Sequence, residues 1–286
     1  MSWWIWLIGG VVFAAGCLFL YWQDTSLSLS HYTVTPRDLP EELDGLRIVQ
    51  LSDLHNMRFG KKQVRLLEKV KALSPDLIVL TGDLADKRRT RDERFLPAKE
   101  LAEGLVKIAP VYAIMGNHET EKERVDSMTA VLTACGVTVL HNTAVPVLFG
   151  GYTFTLLGAA DIAESWALFP DDPEKGDEAH AKTLQTLCSQ AEGFSILLSH
   201  RPHLISMYKA CGVSLIFSGH AHGGQVRLPF IGGLFAPEQG IFPKYTAGVH
   251  NLGDTHLVIS RGLGNSRFPF RVFNRPEILS AELKKI

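Results

Sequence analysis

Five short apolar runs in this chain each end in a side chain able to hold a metal ion, and that pairing limits the folds open to it. Leu46-Arg47-Ile48-Val49-Gln50-Leu51 leads to Asp53 and His55, and Leu77-Ile78-Val79-Leu80 leads to Asp83. Val111-Tyr112-Ala113-Ile114-Met115 leads to Asn117 and His118. Phe194-Ser195-Ile196-Leu197-Leu198 leads to His200, and Val213-Ser214-Leu215-Ile216-Phe217-Ser218 leads to His220 and His222. Runs this short read as buried strands. Helical patterns separate them over 61–73, 96–108, 125–134, 178–190 and 204–210; in the first, Val64, Leu67 and Val70 form a stripe with Leu66 and Leu73 beside it. Further strands are expected at 137–140, 145–148 and 152–157, with Gly150-Gly151 as a hairpin turn and 256–260 closing the set. Strands alternating with helices argue an α/β chain, largely parallel in its first half. Such sheets bind ligands beyond the carboxyl ends of their strands.

Taken singly, a histidine is more often a satisfied structural residue, and an aspartate before a loop more often a cap. Five strand ends carrying such groups point instead to one shared site. Carboxylates, imidazoles and an amide oxygen, without thiolate, suit divalent manganese, iron or zinc, with manganese foremost. The donors are too many for one tetrahedral ion, so two ions are expected, with Asp83 able to bridge them at the about 3.5–4 Å spacing of two-metal sites. Two divalent ions bring four positive charges; Asp53 and Asp83 remove two and a bridging hydroxide one more. The pocket stays positive, which suits a phosphoryl substrate and its attack by that hydroxide. In Gly219-His220-Ala221-His222 the i, i+2 spacing in extended backbone places both rings on one side.

Asp53-x-His55, Gly82-Asp83, Gly116-Asn117-His118-Glu119, Ser199-His200 and Gly219-His220-x-His222 resemble the five-block signature of calcineurin-like metallophosphoesterases. The flanking His222-Gly223-Gly224-Gln225, Ser260-Arg261-Gly262-Leu263-Gly264 and Pro276-Glu277-Ile278 are similar to its bacterial membrane-anchored YkuE/YaeI-type branch, from about Leu46 onward. The resemblance implies a four-layer α/β/β/α sandwich. It implies that Asp53, His55, Asp83 and His222 hold one metal, and Asp83, Asn117, His200 and His220 the other. It gives His118 the role of protonating the leaving oxygen or stabilising its charge, with Asp86 orienting that ring. It also implies hydrolysis of a phosphodiester or pyrophosphate bond; some proteins of similar sequence act on UDP-diacylglucosamine in lipid A synthesis. Two other readings stay open, a non-catalytic binding module on the same fold and a nuclease relative.

The chain's apolar excess lies at its start. No charged residue occurs from Trp3 to Trp22, a stretch that as helix rises roughly 30 Å, one bilayer core, with aromatic residues at both ends. No Lys or Arg precedes it and no small-x-small cleavage site follows, so an uncleaved single-pass anchor is expected over 1–23 rather than a signal peptide. Residues 24–44 read as a polar linker and 45–286 as the phosphoesterase domain; 161–176 read as irregular and acidic. The four cysteines, Cys17, Cys135, Cys188 and Cys211, show no CxxC spacing, and with no disulfide framework in view the domain is expected to face the cytoplasm from the inner membrane. Balanced charge, 29 Lys+Arg against 30 Asp+Glu, leaves no basic footprint for nucleic acid.

Two stretches admit two readings each. Lys87, Arg88, Arg89, Arg91 and Arg94 form a solvated loop or a contact for phosphate or anionic lipid. Residues 226–242, with Leu228, Phe230, Ile231, Leu234, Phe235 and Phe242, pack onto the sheet or form an apolar lip toward a bilayer or an acyl chain. The expected partners are thus a phosphate ester, lipid-borne or nucleotide-sugar-linked, and the membrane itself.

Overall fold

A strand that is apolar on both faces needs cover on both sides, and the fold supplies it with two stacked sheets. The computed structural model describes residues 3–88, 95–265 and 268–286. In chain order the elements are α1 (Trp3–Thr25), β1 (Ser28–Val34), β2 (Arg47–Leu51), α2 (Val64–Ala72), β3 (Leu77–Thr81), α3 (Leu96–Leu105), β4 (Val111–Ile114), α4 (Lys122–Ala134), β5 (Thr138–Val139), β6 (Thr143–Phe149) and β7 (Tyr152–Gly158). There follow α5 (Ile162–Leu168), α6 (Pro173–Cys188), β8 (Ser195–Leu198), α7 (Ile205–Ala210), β9 (Leu215–Ser218), the two-residue strands β10 (Arg227–Leu228), β11 (Gly232–Gly233), β12 (Phe235–Ala236) and β13 (Gly240–Ile241), and then β14 (Gly248–Leu252), β15 (Thr255–Ile259) and β16 (Glu277–Leu283).

One six-stranded sheet has the order β1-β16-β2-β3-β4-β5 and the other β14-β15-β9-β8-β7-β6. Strands β2 to β5 run parallel, as do β7, β8, β9 and β15, so their carboxyl ends share one edge of each sheet. Alternation along the strands builds three apolar layers. In β3, Leu77 and Val79 face the space between the sheets while Ile78 and Leu80 face α2 and α3; in β9, Leu215 and Phe217 face inward and Ile216 faces α6 and α7. The result is the α/β/β/α sandwich expected. Gln50 interrupts the inter-sheet layer just below the strand ends, its Nε2 donating to Thr81 Oγ1 at 2.9 Å and to the Ser218 carbonyl at 2.8 Å. That amide ties β2 and β3 to β9 directly under the site.

Phe217 is fully buried between the sheets. Phe217→Ala should cost about 3–5 kcal/mol by chemical denaturation of the detergent-solubilised chain. A loss under ~1 kcal/mol would mean that this layer is not closed as described.

Four sequence expectations need correction. Residues 24–44 are not a structureless linker: they contain β1, parallel to β16 at the sheet edge. Its inward positions are Ser28, Ser30, Tyr32 and Val34, too polar for a hydropathy pattern to show. Strand 256–260 does not close the set, because β16 inserts between β1 and β2. The irregular reading of 161–176 fails at both ends. Asp161 caps α5, accepting the Ala163 N–H at 2.9 Å, and Asp172 caps α6, accepting the Lys175 N–H at 3.1 Å, so the acids there are helix starts. In α2 the buried stripe is Leu66 and Val70, with Leu73 just past its end, while Val64 is exposed.

Helix α1 is the one described helix long and apolar enough to cross a membrane, and its side chains are almost all exposed. Its last turn is docked. Gln23 is buried and its Oε1 accepts the Asn274 N–H at 3.3 Å; Asp24 accepts from Arg271 N at 2.7 Å and Asn265 Nδ2 at 3.2 Å. Phe273 meets Phe19 edge-on at 5.6 Å, Arg275 lies over the Trp22 ring at 5.0 Å, and Arg65 Nη2 donates to the Thr25 carbonyl at 3.0 Å.

Candidate metal centre

Tight turns beyond the strand ends bring the candidate ligand side chains together. Asp53, His55, Asp83, His220 and His222 all have positive φ, between 45° and 65°. Asp, Asn and His tolerate that left-handed region better than most residues, at some cost in strain, and such strain gathers at functional sites. The loop after β2 continues pairing with the loop after β3: Asp53 N donates to the Gly82 carbonyl and His55 N to the Asp83 carbonyl, both at 3.0 Å. Glu119, fully buried, accepts from Asp83 N at 3.1 Å, Ala85 N at 2.9 Å and Gly116 N at 2.9 Å, locking the third loop to the second. Burial, then the nearby Asp83 charge, pushes its pKa up to about 8. Gly116 is required here, because a methyl group on its Cα would collide with Asp83 Oδ1.

All seven expected ligands converge. Donor atoms of Asp53, His55, Asp83 and His222 lie within 4.8 Å of one another, as do those of Asp83, His200 and His220. Asp83 belongs to both groups. Asn117 joins the second, with Oδ1 3.2 Å from His200 Nε2. The two histidines after β9 do not face the same way from extended backbone, as their spacing implied. Both are left-handed, with Ala221 between them at φ −75°, so His222 turns to the first group and His220 to the second.

The hydrogen-bond pattern fits cations in this cluster. His200 Nδ1 donates to the Thr81 carbonyl at 2.7 Å and His220 Nε2 donates to Glu238 Oε2 at 2.6 Å. With those nitrogens carrying the protons and His200 neutral, as a metal ligand must be, the lone pairs of His200 Nε2 and His220 Nδ1 face each other at 3.2 Å, with the Asn117 oxygen beside them. In the first group His55 Nε2 faces His222 Nε2 at 3.2 Å. In the second group, acceptors facing acceptors in a buried site call for a shared positive charge. Electrostatics of the bare side chains say the same. Burial holds His55 near 3 and His222 well below its ordinary value, both neutral as metal ligands must be. Burial also opposes charge on His200, but Asp83 at 3.3 Å, with Asp53 and Asp161 near, lifts it to about 10. Without cations this ring takes up the positive charge that the two aspartates require.

His118 and Asp86 sit beside the first group: His118 Nδ1 is 3.3 Å from Asp86 Oδ1 and 3.2 Å from the Lys87 N–H, and its ring meets His55 edge-on at 4.7 Å. Donor atoms of His55, Asp86 and His118 form a third close group. Of the basic run, Arg88 pairs with Asp86 at 3.3 Å, while Arg89, Arg91 and Arg94 lie outside the described residues. Residues 226–242 do not pack their large side chains on the sheet: they form two small hairpins, β10-β11 and β12-β13, with Leu228, Phe230, Ile231, Phe235, Ile241 and Phe242 exposed. Sequence reasoning missed Glu238, Arg201 and Asn274. The first lies in an apolar stretch without a motif. Arg201, directly after His200, pairs with Asp161 at 2.9 Å. Asn274 Nδ2 donates to the carbonyls of His222 at 2.7 Å and Gln225 at 3.0 Å, holding the ligand loop to the chain segment that grips α1.

With this geometry the chain matches a known family. Residues 46–224 match the calcineurin-like phosphoesterases, and the chain belongs to that family: it is a metal-dependent phosphoesterase, a hydrolase. Within the family it is 32% identical over 269 residues to metallophosphoesterase YkuE of Bacillus subtilis (strain 168), covering 92% of this chain and 88% of that protein. It is 32% identical over 247 residues to phosphodiesterase YaeI of Escherichia coli (strain K12), covering 83% and 82%. A transmembrane protein with metallophosphoesterase domain from Danio rerio is 30% identical over 256 residues, 86% of this chain and 55% of that one. The family and the buried clusters support divalent metal binding, and α1 together with such relatives suggests membrane anchoring.

Proposed function

We propose that this chain hydrolyses a phosphodiester or pyrophosphate bond in a lipid-linked substrate at a membrane surface. Two divalent ions, manganese foremost, would be held by Asp53, His55, Asp83 and His222 and by Asp83, Asn117, His200 and His220. The observation that carries this reading is Asp83, one buried carboxylate common to two groups of converging donors. Bound ions supply Lewis acidity for the phosphoryl oxygens and a strong nucleophile from water.

The chain's own residues do the rest. His118, at the rim of the first group, protonates the leaving oxygen. With the ring charged, Nδ1–H donates a hydrogen bond to Asp86 and the Nε2 proton is free for the leaving oxygen; after that transfer the neutral ring keeps Nδ1–H on Asp86, so both states are held in one orientation. Exposed Phe230, Ile231 and Phe242 on the hairpins next to the ligand loop support an acyl-bearing substrate. So does Asn274, which links the His222 loop to Gln23 at the end of α1 and so sets the site close to the bilayer. Arg65 and Arg275 touch that same end of α1 although they lie 40 and more residues along the chain; their placement supports a cytoplasmic domain on a single-pass anchor in the inner membrane.

The test uses purified full chain in detergent, stripped with chelator and then given manganese. Bis-p-nitrophenyl phosphate should be turned over only with metal restored. Against it, nucleotide-sugar lipids such as UDP-diacylglucosamine should show a higher kcat/KM than the same head groups without acyl chains. Equal rates with and without the chains would remove the lipid part of the reading; no metal-dependent turnover of any ester would remove the rest.

A further inference from the structure

We propose that Glu238, at the tip of the β12-β13 hairpin, is a positioning residue that sets the tautomer and tilt of His220 and clamps the hairpin over the second metal group. The inference rests on the metal-binding reading above. Glu238 Oε2 accepts from His220 Nε2 at 2.6 Å, shorter than the 2.7 Å bond from His200 Nδ1 to the Thr81 carbonyl and within the range of a charge-assisted bond. This fixes the proton on Nε2 and turns Nδ1 toward His200 and Asp83. A carboxylate behind a ligating imidazole raises its basicity and restricts its rotation, which is how outer partners tune a metal site.

The carboxylate is itself held. Its other oxygen lies 3.0 Å from Arg201 Nη1, an ion pair, and Arg201 Nε reaches Asp161 Oδ1 and Oδ2 at 3.0 and 2.9 Å. Arg201 also stacks over Trp166 at 5.0 Å, and Asp161 is the cap of α5. A rigid chain of contacts therefore runs from a helix start through a nearly buried arginine to the hairpin tip and back to His220. Glu238 has a left-handed backbone, φ 56°, which aims its side chain out of the hairpin turn. The hairpin is secured separately: Gln239 exchanges two hydrogen bonds with the backbone of Tyr245, at 2.8 and 2.9 Å, and does not touch His220. That independence gives the control.

Metal-free full chain in detergent is titrated with manganese by calorimetry for wild type, Glu238→Ala, Glu238→Gln and Gln239→Ala. Wild type should bind two ions. Glu238→Ala should weaken one of them by ~10- to 100-fold and leave the other in place. Glu238→Gln, which keeps one acceptor oxygen, should fall between, and Gln239→Ala should match wild type. Equal weakening in Glu238→Ala and Gln239→Ala would show that only hairpin order matters and overturn the inference, as would wild-type affinity in Glu238→Ala. Should Glu238→Ala fail to fold, Glu238→Gln alone decides: unchanged affinity for both ions counts against the proposal. If wild type itself binds no ions, the metal-binding reading fails, a different result from either.

Discussion

Asp83→Asn is expected to empty the metal centre with little change to the fold. The wild-type carboxylate accepts the His118 N–H on Oδ1 at 2.9 Å, and its Oδ2 stands 3.5 Å from His55 Nε2 and 3.3 Å from His200 Nε2. An amide of the same shape can keep the first bond, but it then turns an uncharged NH2 toward nitrogens that need a cation between them. Loss of an outer partner weakens metal sites by ~10- to 100-fold; loss of a shared inner carboxylate should exceed that for both ions, and turnover should fall with it. Elemental analysis of the purified variant should find no stoichiometric metal. Stability gives a second readout, since a ligand that binds only the folded chain raises its melting temperature. Manganese should raise Tm for wild type and not for the variant. Metal-free Asp83→Asn should keep the fold but be less stable than metal-free wild type at neutral pH, because the buried Asp83 carboxylate is held ionised chiefly by His200, 3.3 Å away, and the substitution leaves that ring without its partner. Two ions per chain at wild-type affinity would contradict the shared-ligand assignment.

His118→Ala should leave two ions bound and lower kcat by ~10²- to 10⁴-fold, the range for loss of a general acid. The loss should depend on the ester. An alkoxide leaving group needs a proton in the transition state, whereas p-nitrophenolate leaves readily without one, so the variant should be far more impaired on the alkyl ester. A uniform loss on both would assign His118 to charge stabilisation instead. Because His118 also lies close to His55 and Asp86, the metal count matters: an ion lost in this variant would make His118 a ligand.

The strand ends were legible because burial on both faces forces continuous apolar runs, so Leu77 to Thr81 and Leu215 to Ser218 stand out without help from context. The residues at those ends could be named for the same reason. What escaped depends on tertiary neighbours. In β1 three of the four inward positions are serine or tyrosine, and Ser30 is accommodated by reaching the buried Glu277, which Arg261 also holds. The fully buried Arg271 is inexplicable in sequence; in the fold its guanidinium donates to the carbonyls of Arg261, Gly264 and Asn274 and braces the loop that wraps Asp53. Glu238 reaches its histidine across eighteen positions from a hairpin tip, a pairing that no periodicity encodes. The divergence of His220 and His222 was hidden too, since it depends on left-handed backbone that the i, i+2 rule assumes away.

The grip on Gln23 and Asp24 bears on how a water-soluble form should be cut. Trimming at residue 45, just before the family match starts, would strip an edge strand from β16 and leave Asn274 and Arg271 without two of their acceptors. Asn274 would then hold the His222 turn from one side only. A fragment starting just ahead of Trp22 sheds nearly all the greasy helix while keeping those acceptors, and unlike the cut at residue 45 it should retain the full chain's appetite for manganese.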